Sequence, residues 1–168
     1  MGWPALNLVE LFLKQVETRP NAAAIITPKG RVVTYAQLAK SSATRALIYQ
    51  QAGIGAGDVV LIARGISVEL YETLLAIFRL GAVAMFPEPA AGLKGLRLAV
   101  EAVRPKAVAT AGIGHVLRLL FPELRQLKSL PDPTGSEVGR EILAHLPGDA
   151  PALITFTSGS TGRPKGIV

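Results

Sequence analysis

Apolar positions along the chain follow two periods, and their order predicts a layered domain. Leu6, Val9, Phe12, Leu13 and Val16 recur at three- and four-residue steps, the spacing of one helix face. That helix should stop near Thr18-Arg19-Pro20, because the residue before a proline avoids helical geometry. The runs AAAIIT and RVVTY flank Pro28-Lys29-Gly30 and read as a hairpin around a turn. Thr34 can cap a helix reaching about Gln51, closed by Gly53. A strand over Val59–Ala63, a helix that Ser67 caps and Gly81 ends, and a strand over 83–86 then make one strand-helix-strand crossover. After the loop PEPAAG, the pattern gives a helix on Leu93, Leu96, Leu98, Val100 and Val103, the strand AVAT, and a helix from 113 to about 124. Residues 128–135, KSLPDPTG, have the composition of a surface loop, and a strand resumes over 153–156. Short β-branched runs alternating with helical stretches predict an α/β fold, a layered domain on a largely parallel sheet.

Composition narrows the class. With 168 residues, 49% of them apolar and 18% charged, the chain can build one domain with a real core. The apolar stretch 74–86 is broken by Arg79 and falls short of the ~20 residues of a membrane span. The amino terminus has Glu10 inside what would be its apolar block and no basic leader, against a secretory signal, and Leu6 stands where myristoylation needs Ser or Thr. A cytoplasmic protein with no membrane span is the expectation. No cysteine and only two histidines, His115 and His145, leave no disulfide, thiol nucleophile or soft metal site, so any metal would be a hard ion such as magnesium. The net charge of +6 is carried by scattered basic residues among few aromatics, which argues against nucleic acid as a partner. His115 and His145 read as structural, Trp3 as a packing residue, and Glu69, Glu72 and Arg79 as a solvated helix face.

Candidate chemistry is concentrated at 151–168, PALITFTSGSTGRPKGIV. A buried strand feeds Thr157-Ser158-Gly159-Ser160-Thr161-Gly162-Arg163-Pro164-Lys165-Gly166, which holds four hydroxyls, three glycines and a lysine. Glycines let backbone N–H groups approach a polyphosphate closely. The hydroxyls add donors and can ligate magnesium, and Lys165 supplies a mobile positive charge. Composition alone would favour a flexible linker, and it is the order of the residues that changes the reading. Spacing excludes the G-x-x-x-x-G-K-S/T phosphate loop, since neither Gly159 nor Gly162 stands in that relation to Lys165 and Gly166 follows it.

The order F-T-S-G-S-T-G-x-P-K-G over 156–166 resembles the signature of the adenylate-forming superfamily, which includes acyl-CoA synthetases, fatty acyl-AMP ligases, luciferases and peptide-synthetase adenylation domains. Earlier segments are similar too: Val33-Thr34-Tyr35-Ala36-Gln37-Leu38, Gly57-Asp58-Val59-Val60, and Ala76 through Val83 followed by Pro87. Arg79-Leu80 replaces the more usual lysine-alanine, and Pro87-Glu88-Pro89 the common proline-x-aspartate; these departures place the chain nearer fatty-acyl or β-lactone-forming branches than amino-acid-activating ones.

The resemblance implies an acid-activating ligase that joins a carboxylate, here a fatty acid, to the α-phosphate of ATP and then passes the acyl group to coenzyme A or a carrier thiol. It implies that Thr157, Ser158, Gly159, Ser160, Thr161, Gly162 and Lys165 hold the β- and γ-phosphates of ATP, with magnesium as companion ion. It names no catalytic residue and no protein metal ligand within the chain. It further implies that residues 1–168 are the first part of the large N-terminal domain, ending just after the phosphate-binding loop without the C-terminal domain, and inactive alone. Two other readings stay open: a phosphotransferase using the same loop, which would release ADP where the ligase releases AMP, and a non-catalytic interaction fragment.

Overall fold

The structure, a computed structural model, describes residues 7–134, 141–157 and 165–167, with backbone alone for Pro89, Ile113, Thr157 and Lys165. Trp3 therefore lies outside the described residues. Helix α1 spans Leu8–Thr18; Asn7 caps it, its Oδ1 accepting from the Val9 N–H at 3.0 Å. Strands β1 (Ala23–Ile26) and β2 (Val32–Thr34) pair antiparallel as the expected hairpin, a small two-stranded sheet of its own. Thr34 and Gln37 form a reciprocal capping box at the start of α2 (Tyr35–Gln51), and Gly53, at φ +85°, ends it.

The remaining strands, β3 (Val59–Ala63), β4 (Val83–Met85), β5 (Ala107–Thr110), β6 (Lys128–Ser129), β7 (Leu153–Thr157) and β8 (Lys165–Ile167), make a six-stranded sheet in the order β6-β5-β3-β4-β7-β8. Its centre is β3, β4 and β5, with β7 alongside β4, all parallel. Helix α3 (Val68–Arg79), capped by Ser67, links β3 to β4. A single 3-10 turn at Pro89–Ala91 and α4 (Gly92–Val103) link β4 to β5. Side chains alternate across β3: Val60 and Ile62 join α2 and α3 on one face, while Leu61 joins Met85, Val108 and α4 on the other. Both faces are covered, which is why VVLIA reads as a continuous apolar run rather than an alternating one.

Three expectations are corrected. The helix expected over 113–124 is two, α5 (Ile113–Leu120) and α6 (Pro122–Arg125), because Phe121 is extended before Pro122, at φ −109° and ψ 114°. The segment expected as pure loop holds a short strand, β6 (Lys128–Ser129), parallel to β5. Past the glycine-rich stretch an unexpected strand, β8 (Lys165–Ile167), runs antiparallel to β7. Among the described residues, no helix is long and apolar enough to cross a membrane.

Candidate functional site

Because β3, β4, β5 and β7 are parallel, the loops after Ala63, Met85, Thr110 and Thr157 leave the same edge of the sheet. In open α/β sheets that carboxyl edge is where ligands bind. Strand β7 is held there by the Ala84 N–H on the Ala152 carbonyl at 3.0 Å and the Phe86 N–H on the Ile154 carbonyl at 2.9 Å. Phe156 is buried against Leu61, Met85 and Val108, with Ile154 beside it. The sequence thus continues from a well-anchored strand into the glycine-rich stretch. The return strand β8 pairs Thr155 with Ile167, Phe156 with Gly166 and Thr157 with Lys165. Of the expected phosphate-holding residues, the structure sets the backbones of Thr157 and Lys165 opposite one another, closing the ends of 158–164. Ser158, Gly159, Ser160, Thr161 and Gly162 lie outside the described residues.

The neighbouring crevice on this edge, between β3 and β5 where the strand order reverses, is filled by protein. Arg64 follows β3 with a fully enclosed side chain; its Nη2 donates to the Thr110 carbonyl at 2.9 Å and to Asp132 Oδ1 at 2.8 Å. Arg45, from α2, pairs with Asp132 and with Glu72 at 3.1 Å. Burial pushes the Asp132 carboxyl up, but hydrogen bonds and charge from Arg45 and Arg64 outweigh it and hold the group below the usual carboxylate range. Gly114 is needed here: a Cβ on it would stand 2.0 Å from the Ala63 carbonyl oxygen. His115 is exposed on α5, its Nδ1 3.0 Å from Thr110 Oγ1, and His145 is exposed in an irregular segment. Among the described residues no group of three or more His, Cys, Asp and Glu could hold a metal ion.

The solvated face expected of Glu69, Glu72 and Arg79 is overturned. Glu69 is exposed, but Glu72 is largely covered beside Arg45, and Arg79 is fully buried, donating from Nε to Ser42 Oγ at 3.2 Å and pairing with Glu141. One signal was present: Arg79 interrupts an apolar run, where a solvated cation fits poorly.

The sheet and its carboxyl-edge hairpin define an α/β domain of the kind that presents ligands at strand ends. The family model described as AMP-binding enzyme matches residues 12–168, and the chain belongs to that family. It is 34% identical over 175 residues, 99% of this chain, to "Hybrid PKS-NRPS synthetase pyvA" of Aspergillus violaceofuscus. Among solved structures it is similar to the NpsA N-terminal subdomain of Klebsiella oxytoca in complex with anthranilyl-AMSN, with TM-score 0.75 and 26% identity over 97% of this chain. The anthranilate CoA ligase AuaEII in complex with anthranoyl-AMP shares the fold, with TM-score 0.81 and 19% identity over 97% of this chain. The chain spans 4% of the first of these, 40% of the second and 33% of the third. Its mixed, mostly parallel sheet matches the N-terminal subdomain of adenylate-forming enzymes.

Proposed function

We propose that this chain supplies the phosphate-holding part of an enzyme that activates a carboxylate as its acyl-adenylate. The observation that carries the reading is the β7–β8 hairpin, in which a strand of the carboxyl edge runs into F-T-S-G-S-T-G-x-P-K-G and returns with Lys165 opposite Thr157. The donor set fits ATP and magnesium: glycine N–H groups suit phosphate oxygens, hydroxyl oxygens suit a hard cation, and lysine suits the outer phosphates. Magnesium, when bound, supplies charge neutralisation on the phosphates. The hydroxyls of Thr157, Ser158, Ser160 and Thr161, with the N–H groups of Gly159 and Gly162, grip the β- and γ-phosphate oxygens, and Lys165 balances their charge.

So held, pyrophosphate is a fixed leaving group. A carboxylate oxygen forms a bond to the α-phosphorus, the bond from that phosphorus to the bridging oxygen breaks, and its electron pair leaves with pyrophosphate. Positioning and electrostatics carry such a step without a protein nucleophile. The acyl acceptor in this reading is a thiol, of coenzyme A or of a carrier, and the setting is the cytoplasm, where ATP is at hand. The choice of a fatty acid rests on Arg79-Leu80 and 87–89 alone and gains no support from the three relatives.

The test is carboxylate-dependent exchange of labelled pyrophosphate into ATP over fatty, aromatic and amino acids. It is run on this chain and on a chimera completing it with the remainder of a solved neighbour. The chimera is expected to exchange with one acid class and to lose at least about a hundredfold in Lys165→Ala, while the 168-residue chain alone stays silent. ADP release instead of AMP would replace the proposal with a phosphotransferase, and an unchanged Lys165→Ala would remove the hairpin from the chemistry.

A further inference from the structure

The segment that delivers β7 to the sheet has no regular secondary structure over 141–150 apart from a turn in which the Ala150 N–H reaches the Pro147 carbonyl at 3.0 Å. It is nevertheless anchored: Ile142 packs against the α2–α3 cluster, and a polar clasp holds the segment to the carboxyl end of α3. Arg79 is completely buried there, with Nε on Ser42 Oγ at 3.2 Å, Nη2 on the Ala39 carbonyl at 3.4 Å and Nη1 on the Glu141 carboxylate. Its own carbonyl accepts the Ala144 N–H at 2.8 Å. Asn7 Nδ2 completes the clasp, donating to the Phe78 carbonyl at 2.9 Å and the Ala144 carbonyl at 3.1 Å. Gly81, at φ +66°, lets the segment pass closely: a Cβ there would meet Leu146 Cδ2 at 2.9 Å and Ala144 Cβ at 3.1 Å.

We infer that Arg79, through Glu141 and the Ala144 backbone, is a positioning residue that sets the register of β7 and so the placement of the glycine-rich hairpin. Nothing beyond the short stretch 145–152 separates the clasp from the strand. The ladder from β4 to β7 is short, pairing Ala84 with Leu153 and Met85 with Ile154. A slip of one residue would turn Phe156 out of the core and move every donor after it. A guanidinium suits the task because its planar fork reaches Ser42, Ala39 and Glu141 at once, which a single ammonium does not. The function of the clasp rests on the phosphate-binding reading; its existence as a register device does not.

The test separates the two. Glu141 is exposed, so Glu141→Gln should leave the fold intact while removing the charge that Arg79 faces. Amide hydrogen exchange at 153–157 is expected to quicken about tenfold, with 59–63 and 107–110 unchanged. Arg79→Lys, which keeps the charge but loses the fork to Ser42 and Ala39, should quicken exchange there at least as much. Calorimetric titration with magnesium pyrophosphate should show the same order of weakening. Unchanged exchange at 153–157, or a rise spread equally over β3 and β5, would overturn the inference, as would a loosened β7 that binds pyrophosphate as tightly as before. If β7 loosens but the unaltered chain binds no pyrophosphate, the clasp stands and the phosphate reading falls.

Discussion

Asp132 is a half-exposed carboxylate that holds two enclosed guanidinium groups, Arg45 of α2 and Arg64 at the end of β3. Its consequence for stability depends on the sign of its shift. The folded group sits below the usual range, the attraction of both arginines exceeding the cost of burial. Its stabilisation is therefore fully present above the unfolded value of about 3.9 and is lost as pH falls through the lower folded value. Glu69 adds in the same direction: backbone hydrogen bonding in the first turn of α3 holds its carboxyl down, burial opposes this, and Ser67 assists. Asp132→Asn is expected to cost about 1–2 kcal/mol at pH 7, a figure discounted because the carboxylate is half in water. Urea midpoints at pH 7 and pH 3 should show the variant closing on the parent in acid; an equal gap at both would mean that charge is not what Asp132 contributes. None of this was legible in the sequence, because the partners are distant: Arg45 finds Asp132 across 87 positions, and Arg79 finds Glu141 across 62. The apolar run around Arg79 hints locally that it is not solvated, but which groups receive a buried arginine is decided by chain far from it in sequence.

Elements were legible where they carried a period or a cap. The box at the start of α2 has both partners in place, Gln37 N–H on Thr34 Oγ1 at 3.2 Å and Thr34 N–H on Gln37 Oε1 at 2.9 Å. Thr34→Ala should cost about 1 kcal/mol in a denaturant titration, and Thr34→Ser much less. Equal losses in both variants would assign the effect to the threonine methyl rather than to the hydrogen bond. Strand β3 was read to its ends because five consecutive apolar, mostly β-branched residues are buried on both faces. Strands β6 and β8, of two and three residues, are too short to show any period, and they exist because β5 and β7 offer them unpaired edges. The same holds for the candidate site. The order of residues from Phe156 to Gly166 announced its chemistry, while its closure by the Thr157–Lys165 pair needed the sheet.

At the scale of the whole molecule the six-stranded sheet separates two apolar layers, and that arrangement predicts how the chain unfolds. Ile77 of α3 is buried with Val60, Ile62 and Ala84 on one face; Val108 of β5 is buried with Leu61, Met85 and Phe156 on the other. Each layer packs against the same strands, so neither can lose its helices without exposing the sheet that the other needs. Ile77→Ala is expected to cost about 3 kcal/mol and Val108→Ala about 2 kcal/mol, from lost transfer energy and the cavity left behind. The two sites belong to separate side-chain clusters, so the double variant should show the sum to within about 0.5 kcal/mol. Both changes should also move one shared transition, followed in parallel by far-ultraviolet circular dichroism and tyrosine fluorescence. Two resolved transitions, each moved by only one substitution, would mean that the α2–α3 layer folds as a unit independent of the layer beneath the hairpin. Arg79 could then hold its clasp while β7 melted, and the coupling argued between the helical layer and the glycine-rich hairpin would fail.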